Sequence, residues 1–350
     1  MARAPGVDAA PTAFPTAEQS LALKASLLDG DAALEAWRQL VAAGGPERPG
    51  IAWIAPLLMT NLKRLAPEDA WVKANPHFLT VCHLKTKAIQ ECAAKVLRLL
   101  EDATVPTLAL KGLALGVTVY PAPGLRTVSD LDILVPGKDV FRAMDALLQA
   151  GFVTAPDRPR KPADLRANHA HVFSSPKRHD PTLDLHWHVL ASGRSDDDDA
   201  PFWAAAQPLR IGNAATLGLC PEDQLLHALV HGVRWTRMPH VRWVADATLI
   251  LRATRGTLGI DRFLDMARRC DAVAPVQEGL RFVAEVTGEG EELLERARSL
   301  KKSRFADRAF KARATAYEER SVADRIALRI ETALWSQRAK RRSAARTPRP

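Results

Sequence analysis

Two aspartates separated by one residue lie in a short apolar run near the middle of the chain. Asp130 and Asp132 alternate with Leu131 and Ile133, and this period-two pattern predicts a strand with both carboxylates on one face. Adjacent like charges are costly unless a cation compensates them. A hard divalent ion such as Mg²⁺ prefers carboxylate oxygens. The spacing therefore predicts a metal site at Asp130 and Asp132.

A third aspartate lies in a second run of the same kind. Asp184 stands between two leucines in TLDLHW, which predicts another half-buried strand. Three carboxylates from two adjacent strands can hold two Mg²⁺ ions and align an acceptor with a phosphoryl group. His186 alternates with Asp184, and we expect it to face the same site and bind the nucleotide; a half-exposed position without such a role is the alternative. The same two interpretations stay open for His169, His171 and His188.

The sequence before these acids has the features of a phosphate-binding turn. An apolar run over residues 105–110 leads into Lys111-Gly112 and then into a helical pattern. Free N–H groups at a helix start, together with a lysine ammonium, suit a triphosphate. Arg126, four residues before the first aspartate, can offer a forked contact to phosphate oxygens. We therefore expect Lys111, Gly112 and Arg126 to hold a nucleoside triphosphate.

Hydrophobic patterning divides the 350-residue chain into an α+β core with helices on either side in the sequence. The core is expected to hold a small mixed β-sheet, and the acidic run 196–199 within it is expected to be a solvated loop. The predicted segments are a disordered start (1–18), an N-terminal helical subdomain (19–104), the core (105–218), a C-terminal helical domain (219–335) and a basic tail (336–350).

The positive charge of the chain is concentrated at its C-terminal end. The formal net charge is +9, yet residues 301–350 contain 15 basic and 5 acidic residues, which leaves 34 basic and 35 acidic residues in the first 300. An affinity for RNA is therefore expected to come from the tail, with a purely solubilising role as the alternative. A hydrophobic content of 47% and a charged content of 25% exclude wholesale disorder and fibrous repeats.

The cysteines and the apolar stretches indicate the cellular compartment in which we expect the protein. Four separated cysteines without a CxxC pair argue against a disulfide framework and predict a cytoplasmic protein. The most apolar stretch, residues 105–121, is short for a membrane span and contains Lys111, so we expect no transmembrane helix. The N-terminal residues lack an apolar core, so no signal peptide is expected. His227 and His231 have the spacing of a zinc pair on a helix, with packing as the alternative.

Several of these segments together resemble a known family. The segments LALKGLAL, LRTVSDLDILV, LDLHWHVL and CPEDQLLHALVHGVRWTRMPHVRWVADATLIL are similar to the uncharacterised nucleotidyltransferase family of the polymerase-β-type superfamily, over roughly residues 30–255. The resemblance implies a nucleotidyltransferase core in which Asp130 and Asp132 bind metal and Asp184 helps to activate an acceptor hydroxyl. Lys111-Gly112 would stand where the superfamily more often has Gly-Ser or Gly-Gly.

The function expected from these observations is Mg²⁺-dependent transfer of a nucleoside monophosphate from an NTP to an acceptor hydroxyl, with release of pyrophosphate. A small molecule, a protein side chain and RNA all fit as acceptors. The alternative is a catalytically inactive nucleotide-binding or regulatory module of the same fold. All three aspartates are present, which favours the enzyme.

Overall fold

The structure is a computed structural model that describes residues 13–155, 159, 161, 164–166, 168–191, 196–234, 239–302, 304–312, 323 and 326. These residues fall into two compact units. We call His77–His227 the sheet unit. The helical unit combines the described residues up to Pro76 with those from Ala228 onward.

Helices make up most of the described residues. They are α1 (Ala17–Leu27), α2 (Gly30–Ala42), α3 (Ala55–Leu65), α4 (Ala70–Ala74), α5 (Phe78–Asp102), α6 (Lys111–Thr118), α7 (Val140–Gln149), α8 (Asp196–Ala204), α9 (Pro221–Gly232), α10 (Arg242–Ala253), α11 (Ile260–Arg269), α12 (Val273–Thr287), α13 (Glu291–Arg298) and α14 (Arg304–Ala312).

One mixed sheet organises the sheet unit and confirms the predicted fold class. Its strands are β1 (Leu108–Ala109), β2 (Asp130–Leu134), β3 (Val153–Thr154), β4 (Ala170–Ser174), β5 (Thr182–His186), β6 (Gln207–Ile211) and β7 (Ala214–Gly218), in the spatial order β3-β4-β5-β2-β1-β7-β6. The β2–β5 and β1–β7 pairs are parallel, and the other neighbours are antiparallel. The strands of the β6–β7 hairpin show little alternation of apolar and polar residues, so the sequence pattern does not predict this hairpin.

The apolar face of the two central strands anchors the sheet. Leu131 and Ile133 of β2 and Leu183 and Leu185 of β5 are fully buried in one hydrophobic cluster with residues of α5 and α7. Because successive side chains of a strand point to opposite faces, this packing directs the residues between them toward the other face. The alternating aspartates of β2 and β5 are held on that other face.

The helical unit begins at the first described residues. Gln19 N–H donates to Thr16 Oγ1 at 3.3 Å, and Thr16 N–H donates to Gln19 Oε1 at 3.0 Å, so a capping box starts α1. The Phe14 ring lies 5.2 Å from the Phe282 ring of α12. Residues 13–18 are therefore folded, although they lie within the segment that the sequence predicts to be disordered; the rest of that segment lies outside the described residues.

The division into units differs from the predicted segments. The predicted N-terminal helical subdomain is divided, since α1–α4 belong to the helical unit and α5 belongs to the sheet unit. Within the helical unit, α1 packs against α2, α3 and α12. Asn61 of α3 adds polar contacts, because its side-chain amide donates to the carbonyl oxygens of Ala25 and Leu28, both at 2.8 Å. Long-range packing therefore joins helices from the two ends of the chain, which local periodicity cannot reveal. The predicted basic tail 336–350 lies outside the described residues.

A buried glycine in the loop before β2 offers a test of the sheet unit. Gly124 has φ +95°, and a Cβ there would lie 2.7 Å from the backbone nitrogen of His83 on α5. We expect Gly124→Ala to lower the free energy of unfolding by about 2–4 kcal/mol, because both left-handed strain and overpacking against backbone oppose it. Gly151→Ala is the control: it has φ +86° but only ordinary contacts, so strain alone should cost about 1 kcal/mol. Denaturant midpoints measure both, and equal losses would contradict the close approach to His83.

Candidate metal centre and active site

The structure brings Asp132 and Asp184 together across the parallel β2–β5 pair. In the register of that pair, Asp132 is the direct partner of Asp184. Asp132 is almost fully buried, whereas Asp184 keeps 24% of its side chain exposed. Ligand atoms of Asp132, Asp184 and His186 all lie within 4.8 Å of one another. This spacing can hold a metal ion.

Asp130 lies on the same face of β2 but outside that group. It is half-buried, it pairs in register with Thr182, and its Oδ1 accepts a hydrogen bond from Ser129 Oγ at 2.9 Å. Two residues along a strand span about 6.6 Å, so Asp130 lies next to the group rather than within it. The three predicted acids therefore share one face of two adjacent strands, and two of them form a close pair.

His186 is the third member of the group that contains Asp132 and Asp184. Its Nε2 lies 3.0 Å from Asp132 Oδ1 and 3.2 Å from Asp184 Oδ2. Burial by itself would lower the pKa of His186, but hydrogen bonds to the two carboxylates outweigh burial and raise it. Its buried Nδ1 has no hydrogen-bond partner in the described residues, and its ring centroid lies 5.6 Å from that of His169. The imidazole thus connects the two acids, a contact that alternation along β5 does not predict.

Lys111 also contacts Asp132 directly. Its Nζ lies 2.5 Å from Asp132 Oδ1, and its backbone has φ +49° at the start of α6. Burial by itself would raise the pKa of Asp132, but His186 and Lys111 outweigh burial and lower the pKa to about 2. At Asp184, burial by itself would also raise the pKa, but interactions with His186 and Lys111, the hydrogen bond with His186 foremost, together outweigh burial, so the pKa is lowered. Both carboxylates are therefore ionised at neutral pH.

The donor set fits a hard divalent cation. Two ionised carboxylates face each other, and a third acid lies next to them on the same face. Carboxylate oxygens are the ligands that Mg²⁺ and Mn²⁺ prefer, whereas an imidazole ligand suits Mn²⁺ better than Mg²⁺. The Lys111 ammonium supplies positive charge at Asp132, and His186 Nε2 lies within hydrogen-bond distance of the same carboxylate. A bound cation would compensate the negative charge of that carboxylate.

Gly112 and Arg126 contact each other at the start of α6. A Cβ on Gly112 would lie 3.0 Å from Arg126 Nη1, so the glycine allows the guanidinium to approach the first turn of that helix. Arg126 is buried, and its Nη1 donates to Thr127 O at 2.6 Å. Two of the three predicted triphosphate-binding residues, Gly112 and Arg126, thus lie side by side, while the third, Lys111, contacts Asp132.

A second buried histidine–carboxylate pair lies beyond the end of β5. His188 Nδ1 lies 2.5 Å from Asp199 Oδ2, and Val189 N–H donates to Asp199 Oδ1 at 2.9 Å. The prediction of a solvated loop at 196–199 was therefore wrong, because these residues form the first turn of α8. Helical periodicity places Asp199 on the buried side of α8 with Phe202. That three-residue spacing is the sequence signal that could have revealed the burial of Asp199.

Removing this buried acid should destabilise the sheet unit. Asp199→Ala leaves the His188 imidazole and the Val189 N–H without their partner, and we expect a loss of about 2–4 kcal/mol in the free energy of unfolding. Asp196→Ala, at an exposed position of the same helix, should change it by no more than about 0.5 kcal/mol. Denaturant titration measures both variants. A loss below about 1 kcal/mol for Asp199→Ala would show that the pair contributes little.

The histidines considered as an alternative zinc pair lie on α9. His227 is buried and His231 is half-buried. In the part of the chain that the structure describes, neither belongs to a group of three metal-ligating side chains.

No helix in the described ranges combines the length and apolar character needed to cross a bilayer.

Comparison with known proteins identifies the family of the chain. A search of curated proteins found no match. A family model described as "Uncharacterised nucleotidyltransferase" matches residues 52–288, which include every predicted site residue. The chain belongs to this uncharacterised nucleotidyltransferase family.

Proposed function

We propose that the protein is a Mg²⁺-dependent enzyme that transfers a nucleoside monophosphate from an NTP to an acceptor hydroxyl and releases pyrophosphate. The observation that supports this most strongly is the register pairing of Asp132 with Asp184 on parallel strands, with His186 bridging them. Family membership supplies the general reaction class.

Each acid has a distinct place in the proposed reaction. Asp132 is buried and ionised, so we propose it as a fixed anionic ligand. The half-buried Asp130, next to the close pair on the same face of β2, is the third metal ligand in this proposal. Asp184 is the partly exposed member of the close pair, so it can accept the proton of the acceptor hydroxyl. That oxygen forms a bond to the α-phosphorus, and the bond from the α-phosphorus to the pyrophosphate oxygen breaks. Two Mg²⁺ ions would neutralise the phosphate oxygens and stabilise the leaving group.

The triphosphate would be held at the start of α6. Lys111, the Gly112 backbone and Arg126 are the groups that we propose for this role, with His186 orienting the acids and, through them, the nucleotide. Lys111 contacts Asp132 in this structure, so binding a triphosphate requires its ammonium to move from the carboxylate to a phosphate oxygen. Lys111 is the first residue of α6, so its side chain starts from the turn at which we propose that the triphosphate binds.

A labelling experiment tests the proposed reaction. The full chain is incubated with MgCl₂, each of the four NTPs labelled at the α-phosphate, and a whole-cell extract. We expect label to enter an acceptor together with pyrophosphate release, and we expect Asp184→Asn to abolish both. Asp145→Asn, an exposed acid on α7, is the matched control and should be fully active. NTP binding by calorimetry without label transfer or pyrophosphate release would instead support the inactive module.

The same experiment identifies the acceptor class. Nuclease sensitivity of the label indicates RNA, protease sensitivity indicates a protein, and resistance to both indicates a small molecule. We propose that RNA, where it is the acceptor, binds through the basic tail 336–350. Deleting that tail should then weaken RNA labelling at low salt, because phosphate contacts dominate such binding. The four cysteines, all within the described residues, form no disulfide bond, and we propose a cytoplasmic location on that ground.

A further inference from the structure

A cavity lies in the sheet unit behind the strand that carries the acids. It has a volume of about 270 Å³ and lies between α5, β2 and the loops that follow α7 and β4. Leu131, which lines it, is the residue between Asp130 and Asp132, and its side chain points to the opposite face of the sheet. The cavity is therefore separate from the proposed active site. Its volume is near the lower end of small-molecule sites, roughly 300–1,000 Å³.

The inner wall of the cavity is apolar. On α5, Val96 and Leu99 are three residues apart and so share one face. The remaining apolar lining comes from β2 and from the surrounding loops, namely Leu131, Phe152, Pro176 and Pro181. Such a wall gains free energy by removing a hydrocarbon chain from water, and each methylene group buried tightens binding about two- to fourfold.

The mouth of the cavity is cationic. Lys95 and Lys177 both line it and are exposed, and in the described residues neither ammonium forms an ion pair. The one acid in the lining, Asp180, already accepts from Ser175 Oγ at 2.8 Å and from Cys92 Sγ at 3.4 Å. Burial raises the pKa of Cys92, so the thiol stays protonated and keeps its role as a donor. Two lysines are thus available to an anion from solvent.

We propose that this cavity binds an amphipathic organic acid, with its hydrocarbon chain against the apolar wall and its carboxylate between Lys95 and Lys177. The two lysines are exposed, whereas Val96 and Leu131 of the lining are buried, which matches the arrangement of an anionic head and an apolar tail. The proposal does not depend on the nucleotidyl transfer proposed above.

Calorimetry with octanoate as the probe tests this site at low ionic strength. We expect octanoate to bind at least about tenfold more tightly than octanol or octylamine, which share its chain but lack its negative charge, and more tightly than acetate, which lacks the chain. The variant Lys95→Gln/Lys177→Gln should weaken octanoate about tenfold, roughly threefold for each lysine, without changing the weaker binding of octanol. Lys85→Gln/Lys87→Gln, at exposed positions of α5 outside the cavity, is the matched control.

A filling variant gives an independent test of the location. Ala150 lines the cavity and is exposed, so Ala150→Trp should occupy the cavity while the thermal melt stays close to that of the wild type. We expect it to abolish octanoate binding. Octanoate binding no tighter than octanol binding, an undiminished affinity in the lysine variant, or an undiminished affinity in a folded Ala150→Trp variant would each overturn the proposal.

Discussion

Asp132→Asn is expected to reduce nucleotidyl transfer by at least about 10³-fold. The carboxylate of Asp132 is the buried anion at the centre of the group, in contact with both Lys111 and His186 and opposite Asp184. An amide cannot supply the negative charge that fixes a divalent cation, and such a cation contributes several kcal/mol of charge stabilisation in phosphoryl transfer, which corresponds to about 10³-fold or more in rate.

The same substitution has a structural cost that must be measured separately. The amide keeps the volume of the side chain, but Lys111 and His186 lose a buried charge partner, so we expect a loss of about 1–3 kcal/mol in the free energy of unfolding. Activity is therefore compared at a temperature where both proteins are folded. Mn²⁺ binding by calorimetry should weaken in parallel with activity, while Asp145→Asn should leave both unchanged. An Asp132→Asn enzyme with more than a tenth of wild-type activity would refute the assignment.

Lys111→Met is expected to change metal binding and nucleotide binding in opposite directions. The Lys111 ammonium lies 2.5 Å from Asp132 Oδ1, so without nucleotide it competes with a metal ion for that carboxylate. Its removal should tighten Mn²⁺ binding about tenfold to 100-fold, because a charged hydrogen bond of this kind contributes about 1.5–3 kcal/mol. The proposed triphosphate contact is lost at the same time, so NTP affinity should fall about tenfold or more.

The choice of methionine separates charge from backbone strain. Its side chain is unbranched like that of lysine, so the strain of the positive φ at position 111 is unchanged to a first approximation. Lys87→Met, at an exposed position of α5, is the control and should affect neither ligand. Unchanged or weaker Mn²⁺ binding in Lys111→Met would show that the ammonium does not compete for Asp132. Unchanged NTP affinity would remove Lys111 from the proposed triphosphate site.

The elements of the sheet unit that carry the acids could be predicted because their signals are local. Alternation over five residues identified β2 and β5, and the same alternation separated the acids from the leucines that anchor them. The change from an apolar run to a helical pattern at Lys111-Gly112 likewise identified β1 and α6. The β6–β7 hairpin could not be predicted in this way, because its strands lack a regular apolar period.

The geometry within the site depended on contacts that no local pattern contains. Asp132 and Asp184 are 52 positions apart in the sequence, and only the parallel register of β2 with β5 makes them direct partners. The bridge through His186 follows from that register, since an imidazole two residues beyond Asp184 reaches diagonally to the neighbouring strand. The contact of Lys111 with Asp132 requires in addition the antiparallel pairing of β1 with β2.

The amino-acid sequence by itself determined which side chains face the two sides of each strand, because a period of two is a property of the extended backbone. It also determined the chemical types available on these strands and at the turn before them, namely three carboxylates, one imidazole, one lysine and one arginine. Only the tertiary structure decided which groups touch, that Asp199 is buried against His188, and that helices from both ends of the chain form one unit. Those outcomes depend on packing between distant segments, where burial and charge compensation outweigh local preference.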